Sequence, residues 1–210
     1  VSFTNPKSAS EFTSSAELGK GRLSVKATTI EFGESATTAR RETETAGFSI
    51  RGFDNVDLSS TGDVRFAGTG VTAIDNIGGS GKAANLNISA ARVATVDTAN
   101  HLLVASGATT VSHNPKASGA TSDTGLGGSL ELRGKSLDVS GKIDVAAGNV
   151  TLDGSDYLTI LKGAFVGAEG RKVVFDDTSA YASGGTVTLK SAQGNVTVES
   201  GAVVSVSADA

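Results

Sequence analysis

GSLELRGKSLDVSGKIDVAAGNVTLDGSDYLTIL, residues Gly128 to Leu161, repeats one three-residue unit five times: Leu130-Glu131-Leu132, Leu137-Asp138-Val139, Ile143-Asp144-Val145, Val150-Thr151-Leu152 and Leu158-Thr159-Ile160. Each unit reads apolar, polar, apolar, the alternation of a short strand with one buried face. Gly134, Gly141, Gly148 and Gly154 stand between the units, where the chain must turn and glycine does so without a Cβ penalty. A hairpin meander of such short strands is marginal. Stacked in successive coils, each strand instead pairs with its equivalent above and below. Leu130 to Val150 is twenty residues and Leu137 to Leu158 twenty-one. Three strands and three turns in about 20 residues fit one coil of a three-sided parallel β-helix, a β-solenoid.

Outward from this stretch the same unit returns at Leu23-Ser24-Val25, Ile30-Glu31-Phe32, Phe48-Ser49-Ile50, Val56-Asp57-Leu58, Val64-Arg65-Phe66 and Leu86-Asn87-Ile88, and again at Val187-Thr188-Leu189, Val196-Thr197-Val198 and Val204-Ser205-Val206. The sequence therefore predicts an all-β fold: one β-helix segment over residues 1–210, of eight or nine coils, on the order of 40 Å long at about 4.8 Å per coil. Three irregular insertions, near 34–46, 106–127 and 163–185, break the period and are expected to protrude as loops. Ser14 to Leu18 is expected to form a helical turn, and Val173-Val174-Phe175 a strand within the third insertion.

Composition agrees. Gly is 27 of 210 residues, yet Pro is only 2, which excludes a collagen-like repeat. Aromatics are 5%, low for an enzyme core and natural for a narrow interior filled by small aliphatics. A net charge of -4 with no basic run argues against nucleic-acid binding. With no Cys there is neither disulfide nor thiolate chemistry, and His101 and His113 are the only imidazole ligands. No apolar run reaches the length of a membrane span, so no membrane insertion is expected. Met is absent and Val1 comes first, with Ala210 close behind a strand; the expectation is an excised or processed piece of a longer rod.

The run Gly128 to Leu161, with Gly184 to Val206 (GGTVTLKSAQGNVTVESGAVVSV), resembles the rod repeats of filamentous haemagglutinin-type exoproteins, bacterial proteins exported by two-partner secretion. The resemblance covers the periodic parts, about two thirds of the chain. It implies a right-handed parallel β-helix, a secreted or cell-surface location, and a role in adhesion or in presenting an effector. The implied partners are a receptor, protein or glycan, on a host or neighbouring cell, and an outer-membrane transporter during export. The family's secretion domain carries Asn-Pro-Asn signatures; Asn5-Pro6-Lys7 and Asn114-Pro115-Lys116 depart from them at the third position, so a rod segment fits better.

Chemistry-bearing motifs are few. Ile77 to Ala83 (IGGSGKA) imitates a phosphate loop but has Asn76 where glycine is required and Ala83 where a hydroxyl is. Gly68 to Ala73 follows a strand but no crossover helix succeeds it, so its glycines read as turn residues. Asp153, Asp156, Asp176 and Asp177 are candidate carboxylates for Ca²⁺ or for glycoside chemistry, set against the plainer reading of solvent-facing turn residues. His101 and His113 assemble into a triad with the abundant Ser only on paper. The sequons at Asn87, Asn149 and Asn195 fall on or beside strands. No cofactor, metal or catalytic residue is predicted. A carbohydrate-active enzyme on the same scaffold and a passive spacer are the alternatives to a structural and binding rod. Trp is absent and only Tyr157 and Tyr181 are tyrosines, which disfavours a saccharide groove. The third insertion concentrates Phe165, Arg171, Phe175 and Tyr181. Arg171 and Tyr181 are the predicted partner-binding pair, expected exposed and close together; the competing reading puts Phe165 and Phe175 inside the helix.

Overall fold

The computed structural model describes residues 2–4, 21–34, 48–75, 83–119, 125–175 and 178–208. The helical turn expected at Ser14 to Leu18, the loop 35–46, Asn5-Pro6-Lys7, most of Ile77 to Ala83, and Asp176 and Asp177 lie outside the described residues. The described residues form strands and no helix. One large sheet is parallel throughout, an arrangement compatible with a β-helix; a separate two-stranded sheet is antiparallel.

In-register pairing sorts the large sheet into three ranks. The first contains β2 (Gly21–Ala27), β5 (Phe53–Ser60), β7 (Asn85–Ala90), β9 (Thr109–His113), the second half of β10 (Ser129–Val139), the second half of β12 (Asn149–Ile160) and β17 (Val196–Val198). The second contains β3 (Ile30–Phe32), the first halves of β6 (Asp63–Asp75) and β8 (Arg92–Ala105), β11 (Lys142–Asp144), β13 (Phe165–Gly167) and β18 (Val203–Ser205). The third contains β1 (Ser2–Thr4), β4 (Phe48–Arg51), the second halves of β6 and β8, the first halves of β10 and β12, and β16 (Thr186–Lys190).

Register turns the apolar-polar-apolar units into columns. Val25, Leu58, Ile88, Val111, Val139, Ile160 and Val198 stand in line, as do Phe48, Thr72, Leu103, Leu132, Leu152 and Leu189. From Ile50 to Val166 the inward aliphatic positions are essentially inaccessible and form one continuous core. Phe66 extends it on one side, stacked on Phe32 at 5.0 Å between centroids. The polar middle residues form outward ladders: Asn87 Nδ2 donates to Asp57 Oδ1 (2.9 Å) and Thr110 Oγ1 donates to Asn87 Oδ1 (2.8 Å).

The first and third ranks each have seven strands among the described residues. Six steps of about 4.8 Å span about 30 Å. The step of twenty-one residues from Leu137 to Leu158 is the shortest in its rank; Leu23 to Val56 takes 33 residues and Leu158 to Val196 takes 38. In the step from Leu158 to Val196 an antiparallel hairpin takes up part of the extra chain.

Two of the predicted insertions have narrower bounds than expected. Segment 106–127 begins with a strand of the first rank, β9, whose inward Thr109 masks the apolar pattern. Segment 163–185 likewise opens with β13, whose single inward apolar residue is Val166. The rest of the third insertion carries the antiparallel hairpin of β14 (Lys172–Phe175) and β15 (Thr178–Tyr181). The second insertion crosses back over an outer corner: Asn114 N donates to Ala90 O, Asn114 Nδ2 to Ser60 O (2.7 Å), and Ser118 N to Thr61 O. In consequence β8 meets β11 through the single pair Val93–Ile143, so the second rank skips a step.

Candidate binding surface

The hairpin β14–β15 sits beside the outward face of the second rank. Arg171 precedes β14, and its carbonyl accepts the N–H of Ala182, just past β15. Lys172 pairs with Tyr181 across the hairpin, and the Lys172 Nζ lies 5.8 Å from the Tyr181 ring centroid. Tyr181 is 56% exposed. The Arg171 side chain is one third exposed, because its guanidinium turns inward and donates to Asp144 Oδ2 at 2.9 Å. The predicted pair thus brackets the base of one hairpin, with Tyr181 outward and Arg171 tethered.

Asp144 organises the neighbourhood. β11 orients Ile143 inward and therefore turns Lys142 and Asp144 outward. Asp144 is nonetheless buried at 4% exposure, with Lys142 Nζ at 3.3 Å and Arg171 Nη2 at 2.9 Å from the same Oδ2. A buried carboxylate is kept by such pairing. Lys142 also lies 5.0 Å above the Phe165 ring. Phe165 is opposite Lys142 in register, on the outer face, while Val166 fills the column. The reading that put Phe165 inside is corrected, since alternation sends neighbours to opposite faces. The Phe165 ring covers Gly167, where an added Cβ would approach it to 2.4 Å. Phe175 belongs to β14. Lys142, Phe165, Arg171, Lys172 and Tyr181 therefore give one flank cations interleaved with two aromatic rings, anchored by a single buried acid. Exposed Val174, on the same hairpin face as Lys172 and Tyr181, adds apolar surface.

The other sequence candidates separate. Asp153 is level with Arg133 and Lys190 in the outward ladder, and Asp156 lies 3.8 Å from Lys135 Nζ. Among the described residues no three His, Asp or Glu side chains are grouped to hold a metal ion. His101 is buried and His113 exposed. Gly68 to Ala73 runs within β6. Asn87 commits both amide atoms to its ladder.

One pairing had no legible signal. Asp63 and Arg92, adjacent in register, make a two-pronged contact (Nε to Oδ1 3.2 Å, Nη2 to Oδ2 2.8 Å) with side chains 0% and 6% exposed. Twenty-nine residues separate them, and only the stacking register brings them together. Compared with protein-family models, curated proteins and solved structures, the chain shows no significant match.

Proposed function

We propose that the chain winds as a right-handed, three-sided β-helix and serves as a structural and binding rod segment of a large secreted or surface-exposed bacterial adhesin-type exoprotein. The observation that carries this reading is the in-register stacking of seven parallel strands in one rank, with aliphatic columns inside and Asn, Asp and Thr ladders outside. Such stacking makes a stiff, repetitive body whose regular faces are well hydrated and offer few anchors to a partner. Contact then falls to irregular segments held by the rigid body. Here the flank bearing Arg171 and Tyr181 combines exposed aromatic area with three cations. It suits a cell-surface receptor that presents an acidic group beside an apolar one. Asp144 fixes the Arg171 fork, so less side-chain entropy is lost when a partner docks.

The test is attachment. Beads coated with the chain should lose at least about tenfold in adhesion to target cells when Arg171 and Tyr181 are both replaced by Ala. Arg171→Ala leaves the buried Asp144 with Lys142 alone and should itself lower the melting temperature. Adhesion is therefore compared below the melting range, and Tyr181→Ala, which removes no ion pair, is scored beside the double variant. Undiminished adhesion by a folded double variant would reduce the hairpin to scaffold.

A further inference from the structure

β8 places His101 at an inward position of the third rank, between Gly70 of β6 and Leu130 of β10. Beyond Leu130 the same column continues as Val150 and Val187. A histidine 2% exposed therefore occupies an aliphatic slot, its ring tilted against Phe66 at 5.5 Å. Nε2 lies 2.9 Å from the Ala67 carbonyl, which only accepts, so Nε2 carries the hydrogen and donates it. Nδ1 is then a bare lone pair, buried with no partner. A neutral ring tolerates that arrangement. An imidazolium would not, because Nδ1–H would need an acceptor and the charge would sit among aliphatic side chains.

The location matters as much as the group. The next strand of the same step, β9, turns Thr109 inward, 1% exposed and with Oγ1 also unpartnered. This is the step at which the second rank is skipped and β8 and β11 share only one pair. The charged residues on the strands packed against His101 are engaged elsewhere: on β6, Asp63 with Arg92, Arg65 with Glu31 and Asp75 with Arg51; on β10, Glu131 with Arg133, Lys135 with Asp156 and Asp138 with Tyr157. On β8 itself, Asp97 lies at the corner against Gly125. None of these is hydrogen-bonded to Nδ1.

We propose that His101 is an acid-operated release for this one step: protonation expels the ring and opens the stretch from Asn100 to His113, while the strands that follow stay paired. Burial lowers the His101 pKa below its ordinary 6.5, and the Ala67 hydrogen bond opposes that shift without reversing it. The sign follows. The closed state holds its full stability above about pH 6.5 and loses it as pH falls from there through the lower value of the closed state, by up to about tenfold in the opening constant per pH unit.

Hydrogen exchange of the intact chain at pH 7.5 and pH 5.0, corrected for intrinsic rates, reads this directly. Protection of peptides covering residues 100–113 should fall at the lower pH, with peptides from 149–160 unchanged. His101→Gln keeps a donor for the Ala67 carbonyl but does not titrate, and should abolish the difference. His101→Leu, which extends the aliphatic column, should do the same and serves if the Gln variant folds poorly. His113→Gln, at an exposed position, should retain the response. No acid response in the unaltered chain, an equal response in the His101 variants, or simultaneous opening of 149–160 would each overturn the proposal.

Discussion

Leu152→Ala tests the column register most directly. Leu152 is fully inaccessible and lies in line between Leu132 and Leu189. The substitution removes three buried carbons, worth about 0.8 kcal/mol each, or about 2.4 kcal/mol in transfer alone. A cavity term adds to this unless the surroundings collapse. Collapse is hindered here, because β12 is held on both sides by main-chain ladders to β10 and β16. The loss should therefore lie near 4 kcal/mol, in the upper part of the roughly 2.7–5.0 kcal/mol known for buried leucines. Two neighbours calibrate it. Thr151 faces outward on the same strand, and Thr151→Ala should change stability by no more than about 0.5 kcal/mol. Leu189, in the same column but only half-buried, should lose about half as much as Leu152. Urea unfolding at equilibrium measures all three, with unchanged slopes required for the comparison. Equal losses at 151 and 152 would shift the register by one residue, and a larger loss at 189 than at 152 would refute the assignment of the core.

Two further outcomes are expected. Arg92→Ala leaves the inaccessible Asp63 carboxylate without its two-pronged partner and should cost about 3–5 kcal/mol, whereas replacing both residues by apolar ones of similar volume should cost far less; a double-mutant unfolding cycle decides this. Gly154→Ala would place its Cβ 2.0 Å from the Tyr157 carbonyl oxygen and should cost upwards of about 1 kcal/mol, while Gly33→Ala meets nothing within 4 Å and should be neutral or slightly stabilising by thermal melting.

Strand identity and facing were legible because alternation is a local signal. Leu130, Leu132, Leu137, Val139, Ile143, Val150, Leu152, Leu158 and Ile160 are all inward and buried, as their spacing predicts. Step length was not legible in the same way. A strand with Thr109 at an inward place, or with only Val166 to show, gives no repeating apolar pair, so β9 and β13 fell inside segments read as insertions. Phe165 failed for a related reason: as a large apolar residue it reads as core, and only the register of β13 on β11 assigns it to the outside. Contacts across a step, such as Asp63 with Arg92 or Asp144 with Arg171, depend on how many residues each loop consumes, and no local pattern encodes that.

The inward polar residues show where the repeat is under strain. Thr72, Thr95, His101 and Thr109 interrupt the columns; Thr95 and His101 on β8 and Thr109 on β9 lie next to the skipped step of the second rank, and Thr72 one strand before it on β6. From Leu130 to Val166 the core residues are Leu, Ile and Val, with Ala164 the one smaller aliphatic among them. Each polar substitution forgoes apolar burial and risks an unpaired group, which Nδ1 of His101 and Oγ1 of Thr109 display. In a stacked fold stability is close to a sum over neighbouring steps, so these losses are not averaged over the chain. They concentrate at one step, and the chain should open there first. The aliphatic columns that follow, from Leu130 onward, keep such an opening from spreading in that direction. The same physics that makes β10 and β12 easy to read in the sequence makes them the stable half of the described sheet, and the irregular half is where a response to conditions can be built.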